Sequence, residues 1–241
     1  MALPMFLAIT PGEMAGLESL SGNFAWMACH FSPYTQGITN LPPQLPPGSL
    51  LILDDRFPCQ GHSADLTVRQ IRDAVTQMNC DSVLLDFQRP TDPESLSMVR
   101  ALLETLPCPT AVSEPYAREF DCPVFLPPAP LHTALEAHMA PWHGREIWLE
   151  AALCQEIATV TEDGPSIIPC FPAEGLEGGF YDETLCCRYR TQIQDNQIRF
   201  TLFDTPDSLE KKLEKAHSLG VSRAVGLYQE LHGFPAKTML K

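Results

Sequence analysis

Cations are scarce in this chain. Sixteen Lys and Arg stand against 30 Asp and Glu, for a formal net charge of -14. That balance argues against a nucleic-acid or anionic-membrane partner, because both need a cationic face. Long apolar runs are absent as well, so no segment reads as a bilayer span. The first ten residues carry no basic segment and only a short apolar run, which does not read as a signal peptide. Nine cysteines contain no CxxC pair, and this pattern predicts reduced thiols in a cytoplasmic protein. Cys59-x-x-His62 offers two metal ligands with no second pair at ligand spacing, so no metal centre is expected. No repeat of fixed period is visible. The Gly175-Leu-Glu-Gly-Gly179 stretch lacks the strand–turn–helix order of a phosphate cradle, and no cofactor is expected.

What is present suits one globular domain: 241 residues, 44% hydrophobic, with 23 prolines that predict irregular connections. Apolar runs at 5–10, 24–31, 49–56, 81–88, 109–114, 123–127, 146–153 and 221–230 read as strands. Leu66, Ile71, Val75 and Met78 give 64–79 the apolar stripe of a helix. Thr91, Pro93 and Glu94 predict a capped helix start, with the helix ending near 106. Thr205-Pro206 opens another helix, and Gly220 stops it. About eight residues separate the strands at 109–114 and 123–127, fewer than a full parallel crossover needs, so a covering helix is expected to be missing there.

Residues 145–204 break this grammar. Glu162-Asp163-Gly164 and the 194–197 stretch are hairpin signals. Ile198, Phe200 and Leu202 share a face with Leu185, Cys187 and Tyr189 of the partner strand, while Arg188, Arg190 and Arg199 lie opposite, which marks an antiparallel ribbon. The expected fold is therefore α/β: an incomplete or irregular (β/α)8 TIM-like barrel forming a single domain over 1–241, with a hairpin-rich insertion at 145–204.

Polar residues recur where the apolar runs stop. They are Asp54 and Asp55, Asp86 and Gln88, Glu114, Asp204, and Tyr228-Gln229-Glu230. In a barrel the C-terminal strand ends converge on one face. Asp86 and Gln88 are two apart, so alternation sends both to the same side, with Arg89 opposite. Several carboxylates at one mouth is a constellation used for glycoside hydrolysis. Candidate catalytic residues are Asp86, Gln88, Glu114 and Glu230. Candidate substrate-binding residues are Asp54, Asp55, Asp204, Tyr228, Gln229 and Trp26, the aromatics as stacking platforms alongside Tyr34 and Tyr116.

Asp81-x-x-Leu84-x-Asp86-x-Gln88 resembles the DxxDxDxE signature of family-18 glycoside hydrolases, which include chitinases and spore-cortex peptidoglycan hydrolases. The resemblance implies a TIM barrel with this segment on its fourth strand. It implies that Asp86 orients the N-acetyl group of a chitin- or peptidoglycan-like glycan, whose carbonyl oxygen is the nucleophile. Asp81 and Asp86 fit the first and last aspartates, Leu84 replaces the middle one, and Gln88 replaces the catalytic Glu. An amide cannot give up a proton as a carboxylic acid does. The implied protein is a degenerate, glycan-binding relative. Two alternatives remain open: an active glycosidase with a relocated acid at Glu114 or Glu230, and a non-catalytic protein that docks through its arginine-bearing ribbon.

Overall fold

The computed structural model describes residues 3–14, 23–161, 164–170, 178–194 and 197–232. The apolar runs become parallel strands because each is covered on both faces. In chain order they are β1 (Met5–Ile9), β2 (Asn23–Phe31), β4 (Leu50–Asp54), β5 (Ser82–Asp86), β6 (Thr110–Ser113), β7 (Val124–Leu126), β8 (Ile147–Ala151) and β14 (Val221–Leu227). A two-residue strand, β3 (Ile38–Thr39), pairs antiparallel with β2. Pairing of β1 with both β14 and β2 closes the eight parallel strands into a barrel. The segment carrying Asp86 is the fourth barrel strand.

Alternation sorts the side chains. Phe6, Ala25, Leu50, Ile52, Leu84, Ala111, Phe125, Trp148 and Val225 fill the barrel interior. Leu51, Leu53, Val83, Leu85, Val112 and Leu149 face the surrounding helices and loops. Trp26 belongs to this outer layer and donates its indole N–H to the Asn40 carbonyl at 2.8 Å. The β2–β4 register shifts between Trp26 and Cys29.

Three helices are long: α1 (Ala64–Met78), α2 (Pro93–Thr105) and α5 (Pro206–Ser218). Asp92, rather than Thr91, caps α2, and Ser95, rather than Glu94, closes the capping box. The start slips one residue because Pro93 then sits at the first helical position, where its missing N–H costs nothing. Thr205 and Ser208 form the box at α5. Between β6 and β7 there is only a single turn, α3 (Glu114–Ala117). After β7 come α4 (Leu135–Met139) and a 3-10 turn, Ala140–Trp142. The last strand stops at Leu227, short of residue 230, and gives way to a helical turn, α6 (Tyr228–Leu231). Leu231 tucks against Gly226, whose missing Cβ would also sit 2.5 Å from the Ala151 carbonyl oxygen.

Between β8 and α5 the chain builds a second, antiparallel sheet. Its strands are β9 (Gln155–Thr161), β10 (Gly164–Cys170), β11 (Phe180–Asp182), β12 (Cys187–Gln194) and β13 (Gln197–Phe203), in the order β10-β9-β13-β12-β11. Leu202, Phe200, Cys187, Tyr189 and Leu185 pack with Leu131 and Cys154 in a small core of their own. This face opens outward along β13, from Leu202 at 7% exposed to Ile198 at 39%. On the other face Arg190 lies over the Phe203 ring and Arg188 pairs with Asp207. Residues 162–163 and 195–196 of the two hairpin signals, and 171–177, which include the first three residues of the glycine-rich stretch, lie outside the described residues. No described helix is long and apolar enough to cross a membrane.

Candidate functional site at the barrel mouth

Strand parity aims three carboxyl groups inward. Asp54 lies two residues after Ile52, Asp86 two after Leu84 and Glu150 two after Trp148, and each of these predecessors faces the barrel interior. All three line a cavity of ≈ 120 Å³ at the C-terminal end of the barrel, floored by Ala8, Met27, Ile52, Leu84, Phe125 and Leu227. Every ionisable side chain lining it is an acid.

Asp86 is held from two sides. Gln88 Nε2 donates to its Oδ1 at 2.6 Å, and Ser113 Oγ donates to the same oxygen at 3.0 Å. Burial pushes its pKa up, Asp54 and Asp55 add to the rise, and the hydrogen bonds from Gln88 and Ser113 oppose it. Phe87 points the other way and packs edge-on against Phe31 and Tyr116. The expected alternation across 86–88 therefore holds in the structure. Glu150 is pushed up to about 7, first by burial and then by the charges of Asp86 and Glu230. A carboxyl at that value keeps its proton in a large share of molecules at neutral pH.

The other sequence candidates have separate neighbours. Asp55 is buried and accepts the backbone N–H groups of Gln88 and Arg89, each at 2.9 Å. Arg89 in turn donates to the carbonyls of Asp55 and Arg56. These bonds fasten the loop that carries Gln88 to the end of β4. Asp54 is gripped by Arg56, with Nη2 at 2.6 Å. Glu230 stands on α6, and its Oε2 is buried without a hydrogen-bond partner. Gln229 donates to Glu13, which accepts from the backbone and hydroxyl of Thr10. Tyr228 stacks on His232. Glu114 opens α3 and does not line the cavity. Asp204 follows β13 of the second sheet and is buried against Lys212, with contacts of 2.7 and 2.8 Å. Tyr116 is core, whereas Tyr34 is 92% exposed.

Asp81 and Arg223 form an ion pair at the opposite, N-terminal end of the barrel. His62 faces the carbonyls of Cys59 and Ser32, and no group of three or more His, Cys, Asp or Glu among the described residues is arranged to hold a metal. Sequence reasoning missed Glu150 and Ser113. The signal for Glu150 is its parity with Trp148 in β8, which becomes legible only once the strand is known to sit in a closed barrel.

No family model and no curated protein matches the sequence. Solved structures do match. The spore cortex-lytic enzyme SleL of Bacillus cereus superposes with a TM-score of 0.58 at 12% identity, over 97% of this chain and 71% of that one. SleL of Bacillus megaterium gives 0.54 at 10% identity, over 93% and 70%. A GH18 chitinase of Cycas revoluta, solved with allosamidin, gives 0.56 at 11% identity, over 93% and 94%. At such identity the likeness is one of architecture, and the architecture of this chain is a GH18-like TIM barrel.

Proposed function

We propose that the barrel mouth binds an N-acetylamino-sugar glycan of the chitin or peptidoglycan kind, and that the protein is a degenerate relative of the family-18 hydrolases with Gln88 in the position of the general acid. The observation that carries this reading is the Asp86–Gln88 pair at the end of the fourth barrel strand, beside an acid-lined cavity at the mouth. The cavity is smaller than the several hundred Å³ typical of whole-ligand pockets. A compact substituent such as an acetamido group fits it, while the sugar ring rests on the rim. Asp86 is the acceptor for the acetamide N–H. The chitinase of Cycas revoluta was solved with a tri-N-acetylchitooligosaccharide, which supports a ligand of this class. Eight described cysteines are unpaired, in keeping with a proposed cytoplasmic location.

Calorimetric titration with chitotetraose tests the proposal. Saturable heat is expected, and Asp86→Ala should abolish it. General acids contribute about 10²–10⁴-fold to such reactions, so Gln88→Glu should raise hydrolysis of an aryl N-acetylglucosaminide by up to that range. An absence of heat with chitotetraose and with soluble peptidoglycan fragments alike refutes the glycan reading.

A further inference from the structure

We propose that the chain carries a second ligand site, at the N-terminal end of the barrel, which takes a small aliphatic carboxylate. The site lies opposite the mouth and does not depend on the glycan reading.

A tight turn builds it. Residues Trp142 to Arg145 lead from the 3-10 turn toward β8, and the Arg145 backbone N–H donates to the Trp142 carbonyl at 3.1 Å. Gly144 takes φ +85° at the third position, where a type II turn calls for glycine. The turn brings the Arg145 guanidinium 5.4 Å from the centre of the Trp142 ring, and Arg118 lies over the same ring at 5.8 Å. The end of α5, at Leu219 and Gly220, forms the facing wall. A cavity of ≈ 340 Å³ lies between them, with Glu136, Met139, Trp142, Arg145, Ile147 and Leu219 in its lining. That volume is in the range of small-molecule pockets.

Two donors of this turn lack acceptors. Trp142 Nε1 and Arg145 Nε are both buried, and neither has a hydrogen-bond partner among the described residues. The Nη atoms of Arg145 are fixed by the carbonyls of Ala117, Phe120 and Cys122, which leaves Nε over. Those acceptors are neutral, and none of the ion pairs among the described residues includes Arg145 or Arg118. The one acid of the cavity lining, Glu136, is already paired with Lys215 at 2.9 Å. The pocket's own anion is therefore balanced and its cation is not. A buried donor without an acceptor is costly, and a charged acceptor is the strongest remedy. A carboxylate offers two oxygens, one for the indole N–H and one for the Arg145 Nε–H. Met139, Ile147 and Leu219 make the rest of the wall aliphatic, and Leu219 is 39% exposed. These walls favour an acid with a short hydrocarbon body over a bare oxyanion.

The test titrates the full-length protein with hexanoate, against 1-hexanol and inorganic phosphate as controls. In proton–nitrogen spectra the Trp142 indole N–H, assigned by its loss in Trp142→Phe, should move downfield as hexanoate saturates. The indoles of Trp26 and Trp148 already donate, to the Asn40 carbonyl and to Glu146, and should stay in place. By calorimetry Trp142→Phe, which keeps a ring and removes the N–H, should weaken hexanoate about 10–100-fold. Arg145→Lys keeps the charge without Nε and should weaken it by a similar factor; the phenylalanine variant decides the matter if the lysine variant does not fold. Asp86→Ala, at the other end of the barrel, should bind hexanoate as wild type does. Absence of saturable hexanoate binding, an unmoved Trp142 resonance, or undiminished affinity in Trp142→Phe overturns the proposal. So does hexanol or phosphate binding as tightly as hexanoate, or loss of hexanoate binding in Asp86→Ala.

Discussion

Glu150→Gln has a consequence for stability that requires no substrate. The carboxyl has an ordinary value of 4.5 and titrates at about 7 in the fold, chiefly because it is buried. Each decade of such a rise is worth about 1.4 kcal/mol, so ionising Glu150 costs the native state on the order of 3 kcal/mol. Below 4.5 the group is neutral in both states and its favourable contribution is complete. Between 4.5 and 7 the unfolded chain sheds the proton while the folded chain keeps it, and stability falls as pH rises. Above about 7 the contribution is gone. Glutamine keeps the shape and cannot ionise, so the variant escapes this loss. Denaturant unfolding of both proteins at about pH 5 and about pH 8 should show the difference swinging toward the variant by roughly 2.5 kcal/mol, the first part of the loss having occurred below pH 5. In a thermal scan a chain of this size moves about 2–4 °C per kcal/mol. A difference that stays flat across that window means that Glu150 is ionised and hydrated throughout, which refutes the shielded-mouth reasoning.

Other expectations are independent of that group. Asp55→Ala strips the acceptor from two backbone N–H groups; it should cost about 1–3 kcal/mol per group left unpaired, and calorimetry should show weaker glycan binding because the Gln88 loop is no longer fastened. Lys212→Met leaves Asp204 buried without its cation and should cost about 3–5 kcal/mol in urea unfolding. Replacing both partners with apolar residues should restore most of that loss. Gly226→Ala drives a methyl into the Ala151 carbonyl and Leu231; a thermal melt should show a loss of about 1–3 kcal/mol.

The barrel was legible because its strands are buried on both faces and so read as unbroken apolar runs with polar ends. The hairpin sheet was legible for the opposite reason, since one wet face leaves an alternating pattern in β12 and β13. What a linear reading could not supply was the side of the strand on which each terminal acid falls. Asp54 and Asp55 are adjacent, and only parity with Ile52 separates the one that lines the cavity from the one that ties down a loop. Asp204 ends an apolar run just as Asp86 does. Its strand, however, belongs to the second sheet, and its partner Lys212 lies eight residues on, along α5. Glu150 was hidden by its setting, because a single acid inside Ile147–Ala151 looks like an exposed face of a half-buried strand until the barrel closes around it.

Charge along the barrel axis explains why that hidden acid matters. The cation Arg223 sits at the N-terminal end, paired with Asp81 and lying over the rings of Trp148 and Phe6. The C-terminal mouth gathers Asp54, Asp86 and Glu150 around an apolar floor with no cation among its lining residues. Like charges crowded in a poorly hydrated space do not all ionise with equal ease: Gln88 and Ser113 favour the anion at Asp86, whereas burial and the charges of Asp86 and Glu230 push Glu150 up to about 7. An anionic ligand would add to the repulsion, whereas a neutral ligand rich in N–H and O–H donors relieves it. The acetamido sugar proposed here meets that requirement.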